Sequence, residues 1–244
     1  MLVDLGSTPA IELHSLRLGQ IITAIGGLGT ASFGIVDALK AVLPAIDRIG
    51  LKNIKSVVAG LTPDQTGDGV KPDPLNSVPR KNILETVEAN WVNGCDLHSQ
   101  EAIAKSLIKM HLSVGNATAL AQKTNVDPTV LGSIAAKITT GASLTQPETE
   151  VYSRFDQIVA ALLDEAYQIS DNDYRNGTRG LAALLAVLLA VAAGWVLTGN
   201  GFWMSANLGP AILAGLLATP LAPVAKDLSS AIASMANTMQ VVKK

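Results

Sequence analysis

The sequence predicts an all-α integral membrane protein: a small cytoplasmic helical bundle with three transmembrane helices, one N-terminal and two paired in a C-terminal helical hairpin. Three observations lead there. Charged residues make up only 16% of the 244-residue chain, against about 25% in an ordinary soluble domain. The deficit is concentrated, because Asp, Glu, Lys and Arg are absent from Leu18 to Val36 and from Gly180 to Ala225. Between these blocks apolar residues recur at helical spacing, and strand-like alternation is sparse.

Residues 1–17 carry Asp4, Glu12 and Arg17, not the basic stretch leading into an apolar core that opens a secretory signal. They read as an extracytoplasmic N-terminus. Residues 18–36, LGQIITAIGGLGTASFGIV, read as a retained first span. Its glycines would weaken a helix in water. In lipid, small residues let helices approach closely. Gly26, Gly27, Thr30, Ala31 and Gly34 are therefore the candidate helix-packing residues, paired at spacings of four.

Residues 37–60 read as a juxtamembrane amphipathic segment. Within it Asp37–Lys55 continues the span along the membrane surface, past Pro44. Residues 61–81 hold four prolines and two glycines and read as a linker. Residues 82–175 form the cytoplasmic helical domain. Helices are expected at 82–92, where Ile83, Leu84, Val87 and Trp91 fall at helical spacing, and at 99–112 and 116–124. Another is expected at 127–139, opened by Asp127-Pro128 and stopped by Gly141. Thr145 and Glu148 have capping-box spacing, and Val151, Phe155, Ile158, Val159 and Leu162 then line one face. The polar run Ser170–Gly177 reads as a break or hinge before the second span.

Residues 180–198 and 206–225 read as the hairpin. Pro220 and Pro223 predict a kink or an end in its second arm. Trp195, Phe202 and Trp203 flank the turn at 199–201 and are the candidate interfacial aromatic residues, placed at headgroup level. Residues 226–244 are expected to form an amphipathic tail helix that docks on protein. Basic residues set the orientation: Lys40, Arg48, Lys52, Lys55, Arg175, Arg179, Lys226, Lys243 and Lys244 mark the central domain and the C-terminus as cytoplasmic. The expected location is a bacterial inner membrane, crossed several times.

No chemistry is assigned. The net charge of -2 gives no field for nucleic acid, and no nucleic-acid partner is expected. A single cysteine, Cys95, excludes an intrachain disulfide. Asp64–Gly69 begins like a calcium loop, but Leu75 stands where a bidentate Glu belongs. Cys95, His98, Glu101 and His111 lack zinc-site spacing. Leu120–Ile138 has a helix-turn-helix pattern in Ala121, Asn125, Val126, Leu131 and Ile134. The would-be reading helix offers Asp127, Thr129, Ser133 and Lys137, without an arginine for guanine. Phosphate-binding, zinc-protease and nucleophile-elbow motifs are absent. No catalytic residue, cofactor or metal is therefore expected. The expected partners are the lipid bilayer, further copies of the chain and a cytoplasmic protein. These make the chain a membrane-anchored oligomeric scaffold or adaptor, the alternative being a subunit of a multimeric channel or transporter. The order of one span, cytoplasmic domain, two spans and cytoplasmic tail resembles that of the ExbB/TolQ stator subunits. That likeness is one of topology and carries no residues across.

Overall fold

The computed structural model describes residues 9–63 and 78–242; side chains are described for residues 20–63, 78–227 and 230. The helices are α1 (Pro9–Lys40), α2 (Leu51–Leu61), α3 (Arg80–Val92), α4 (Leu97–His111), α5 (Ala117–Thr124), α6 (Pro128–Thr140), α7 (Gln146–Thr198) and α8 (Leu208–Val242). A 3₁₀ turn, Gly199–Met204, joins the last two. No strand occurs among the described residues. The chain divides into a central unit, Pro44–Arg175, and a terminal unit, Met1–Leu43 with Asn176–Lys244.

Short polar caps set the boundaries in the central unit. Asp96 accepts the Ser99 N–H at 3.0 Å and starts α4. Asp127 accepts from Thr129 and Val130, at 2.8 and 3.0 Å, and Pro128 fills the first turn of α6. Such caps satisfy N–H groups that have no partner within the helix. Gly141 closes α6 in the left-handed conformation, φ 71°. The core then forms from one face of each helix: Ile54 and Val58, Ile83 and Val87, Ile108, Leu120, Leu131 and Ile134, and Phe155, Val159 and Leu163. Burying each such side chain contributes about 1.5–3 kcal/mol.

Two segments differ from expectation. The 37–60 segment is not one surface helix. α1 stops at Lys40, turns follow, and α2 places Leu51, Ile54, Val58 and Leu61 in the central core. An apolar stripe serves a bilayer or a protein core equally well, and here α3, α4 and α5 cover it. The Ser170–Gly177 break is also absent, since α7 is helical throughout. Its polar residues are held by partners. The Ser170 hydroxyl donates to the Gly50 carbonyl at 2.9 Å, and the Asn53 amide donates to Asp173 at 2.7 Å. Tyr174 meets Trp91 edge to face at 6.1 Å. Gly50, at φ 84°, packs so tightly on Ser170 that a Cβ there would strike the serine carbonyl. The linker and the calcium-like loop fall mainly on 64–77, outside the described residues.

In the terminal unit three helices are long and apolar enough to cross a bilayer: within α1 (Gln20–Lys40), within α7, and within α8 (Leu208–Asp227). α8 continues through Pro220 and Pro223 to Val242, so neither proline ends it. The tail from Lys226 is the end of this same helix. Its docking face lies outside the described side chains.

Candidate interaction surfaces

The terminal unit is built on small residues. Gly26, Gly29, Ser32 and Val36 of α1 are buried, as are Ala218, Ala222 and Ala225 of α8. A Cβ on Gly29 would overlap the Ala218 carbonyl, and one on Gly26 would overlap the Ala225 side chain. Here the two backbones are in direct contact, as small residues allow in membrane helix pairs. α8 meets α7 in the same way, with Gly215 against Val187. Outward positions carry large apolar groups: Leu184, Leu188, Val196, Leu197, Leu213, Leu216 and Val224 are all exposed.

Of the five residues singled out in the first span, Gly26 lies in this contact. Gly27, Thr30, Ala31 and Gly34 are exposed, with open space beside both glycines. The Thr30 hydroxyl donates to the Gly26 carbonyl at 3.1 Å. Gly29, whose neighbour is the Ala218 main chain, was not among the candidates. A signal for it was present in the partner, where Ala218, Ala222 and Ala225 recur at i, i+4 and i+7. Of the aromatic set, Trp195 and Trp203 are exposed, but Phe202 is buried at 1% and fills the space beside Gly194. Phe202 therefore packs inside the turn. Its ring meets Trp203 edge to face at 5.8 Å.

The central unit presents a second surface. Ile103, Met110 and Val114 are exposed at 38%, 56% and 61%. Ile103, Leu107 and Met110 lie at i, i+4 and i+7 of α4, so they share one face, and Val114 follows just beyond it. Leu107, partly buried, joins this stripe to the core. Sequence reading missed it because a single periodicity cannot say which apolar residues of a helix stay outside.

Ionic groups of the central unit are engaged with one another. Glu148 is buried, takes the Lys137 ammonium at 2.7 Å, the Thr145 N–H at 2.7 Å and the Ser133 hydroxyl at 2.8 Å. The lysine first, then these hydrogen bonds, hold its pKa down to about 2. Asp156 sits between Lys109 at 2.8 Å and Lys105 at 3.4 Å, which lowers its pKa; the same contact raises that of Lys109. Glu88 joins Lys55 and Arg48 and is likewise lowered, chiefly by Lys55. Burial raises the Tyr167 hydroxyl, with the Glu101 charge adding to it. A cavity of about 400 Å³ between α2 and α3 is lined by Lys55, Arg80, Lys81, Leu84 and Glu85.

The remaining motifs fall as follows. Cys95 and His98 are exposed, whereas His111 is buried and turned to two carbonyl oxygens. Among the described residues no three His, Cys, Asp or Glu side chains are grouped to hold a metal. α5 and α6 do form a helix-turn-helix pair. Asn125 takes the left-handed turn at φ 49°, and Ala121, Leu131 and Ile134 are buried. On its outer side Lys137 is engaged with Glu148. Comparison with protein-family models, with curated proteins and with solved structures finds no match.

Proposed function

We propose that this chain is a non-enzymatic membrane-anchored scaffold that self-associates through its spans and presents the central unit to a protein partner. The observation that carries the reading is the inside-out arrangement of the terminal unit, with Gly and Ala inside and Leu, Val and Trp outside. Such a surface is stable only against an apolar surrounding. The face of Gly27, Ala31 and Gly34, left open after α1 has met α8, supports contact with a second copy. The stripe of Ile103, Met110 and Val114 supports a protein partner at α4. The shifted carboxylates Glu88, Glu148 and Asp156 are committed to ion pairs, which supports a structural role for them. Basic flanks support an orientation with the central unit and the C-terminus on the cytoplasmic side of a bacterial inner membrane.

In the channel alternative, several copies would turn polar groups toward a common axis. Thr219 Oγ1 is buried without a partner and is the group such a pore would use. The Thr30 and Ser32 hydroxyls are instead bonded to their own helix, to the Gly26 and Leu28 carbonyls, which favours the scaffold.

Two measurements in native membranes test the proposal. In a Cys95→Ser background, cysteines at Gly27 or Ala31 should crosslink between copies far more than a cysteine at outward-facing Leu184. Equal yields at all three would remove the oligomer. A cysteine at Ser205 should react with an impermeant reagent added outside, while native Cys95 stays protected. The reverse pattern would invert the topology.

A further inference from the structure

Gly26 of α1 faces Leu221 and Ala225 of α8, whereas Gly29, further along α1, faces Ala218 and Ala222. The contact moves back along α8 as it moves forward along α1, so the two helices are antiparallel. α8 is also antiparallel to the apolar part of α7. The two are joined through the turn Gly199–Met204, with Phe202 beside Gly194 and Gly215 beside Val187. α1 and the apolar part of α7 therefore run in the same direction.

That direction conflicts with the order of the chain. The central unit, Pro44–Arg175, stands between the two helices in sequence. Two helices that flank a domain on one side of a bilayer must cross it in opposite directions. If α1 and α7 both crossed as packed here, the chain would enter the central unit on one side and leave it on the other. The two ends of that unit are tied together, since Ser170 donates to the Gly50 carbonyl at 2.9 Å and Asn53 to Asp173 at 2.7 Å. The stretch from Lys40 to Gly50 is folded largely in turns. It is too short to recross a hydrocarbon core about 30 Å thick.

We propose that α1 is a strap that turns over. It packs antiparallel on α8 before it crosses the bilayer, and it leaves α8 when it crosses. The proposal rests on the membrane reading above. In the strapped state α1 covers the small face of Ala218, Ala222 and Ala225, and its own Ser32 and Val36 are buried. In lipid no hydrophobic force opposes parting two such faces, and only dispersion at close approach is lost. The strapped state sets the start of α1 and the end of α8 at the same end of the pair. The crossed state sets them on opposite sides of the bilayer.

A disulfide lock on the full chain tests this. Val36 and Ala211 lie two turns from Gly29 and Ala218 on the same helix faces, so antiparallel packing opposes them. A parallel pair meeting at Gly29 and Ala218 would hold them about 20 Å apart. The parent carries Cys95→Ser and a tag at each end, removable by a protease whose sites lie only in the tags. Val36→Cys with Ala211→Cys should form a disulfide in detergent micelles. After reconstitution into phosphatidylcholine liposomes, each reduced chain should lose one tag only to protease added outside. Chains locked beforehand should lose both tags or neither, and reduction before reconstitution should restore the single loss. Absence of the disulfide in micelles overturns the proposal. So does single loss from locked chains, or paired loss from reduced ones. Chains that alkaline carbonate strips from the liposomes would overturn the membrane reading itself, and the strap with it. If the first pair fails to fold, Ile22→Cys with Ala225→Cys makes the same lock from the other side of the contact.

Discussion

Buried positions of the central unit hold Ile, Leu, Val and Phe, whereas those of the terminal unit hold Gly, Ala and Ser almost throughout. Exposed positions are reversed, with Asp, Glu and Lys on one unit and Leu, Val and Trp on the other. The difference teaches what drives each assembly. Where water lies outside, removing large apolar groups from it is the main gain. Where the surroundings are apolar, that gain vanishes, and helices hold together by dispersion at close backbone approach. With the terminal unit in a bilayer, as proposed, one chain contains two packing rules, and each can be broken separately.

The largest effect should come from the water-driven core. Phe155 is fully buried and stacked on Tyr152 at 6.1 Å. Phe155→Ala should cost about 3–5 kcal/mol, read as a fall in the denaturation midpoint of the full chain, with α1–α8 contact unchanged. Gly29→Leu should act on the other unit. The obstruction is the Ala218 main chain, which cannot rotate away, so the cost should reach the ~3 kcal/mol upper end for overpacking. A disulfide introduced between α1 and α8 should then form poorly. If Gly29→Leu leaves that disulfide yield intact, the close approach does not govern the pair.

A smaller effect should follow Glu148→Gln, which removes a carboxylate that serves Lys137, Ser133 and Thr145 together. Its pKa is depressed from 4.5 to about 2. The stabilisation is therefore present above pH 4.5 and lost as pH falls toward 2. Parent and variant should differ in melting temperature at neutral pH and converge toward pH 2. A gap that persists at the acid end would assign the loss to packing instead. The smallest effect on the chain itself should be that of Gly27→Leu, two residues from Gly29 but facing open space. It should shift unfolding by no more than about 0.5 kcal/mol while lowering crosslinking between copies. Equal destabilisation by Gly27→Leu and Gly29→Leu would erase the distinction between the two faces.

Much of this architecture was legible in the residues. Asp127 and Gly141 mark helix ends because their side chains, or the lack of one, act on the adjacent turn. The three apolar helices follow from uninterrupted composition, and the Thr145–Glu148 pair from its spacing. The candidate surfaces were less legible. The first span has five glycines on several sides, and each residue turns the helix by 100°. Which glycine meets a neighbour depends on where that neighbour stands.

The sequence by itself determined that the chain is helical, where the short helices α3 to α6 begin and end within about two residues, and that three helices are apolar enough for a bilayer, because capping, periodicity and composition act within a few residues. Only the tertiary structure decided the rest. It turned Gly26 and Gly29, not Gly27, toward α8. It drew α2 into the central core, and it carried α7 unbroken through a polar run by pairing Ser170 with Gly50 and Asp173 with Asn53. It also set His111 between two carbonyls that lie 33 and 48 residues away in the chain. Each of these depends on which distant groups arrive beside a residue, and that is settled only when the whole unit packs.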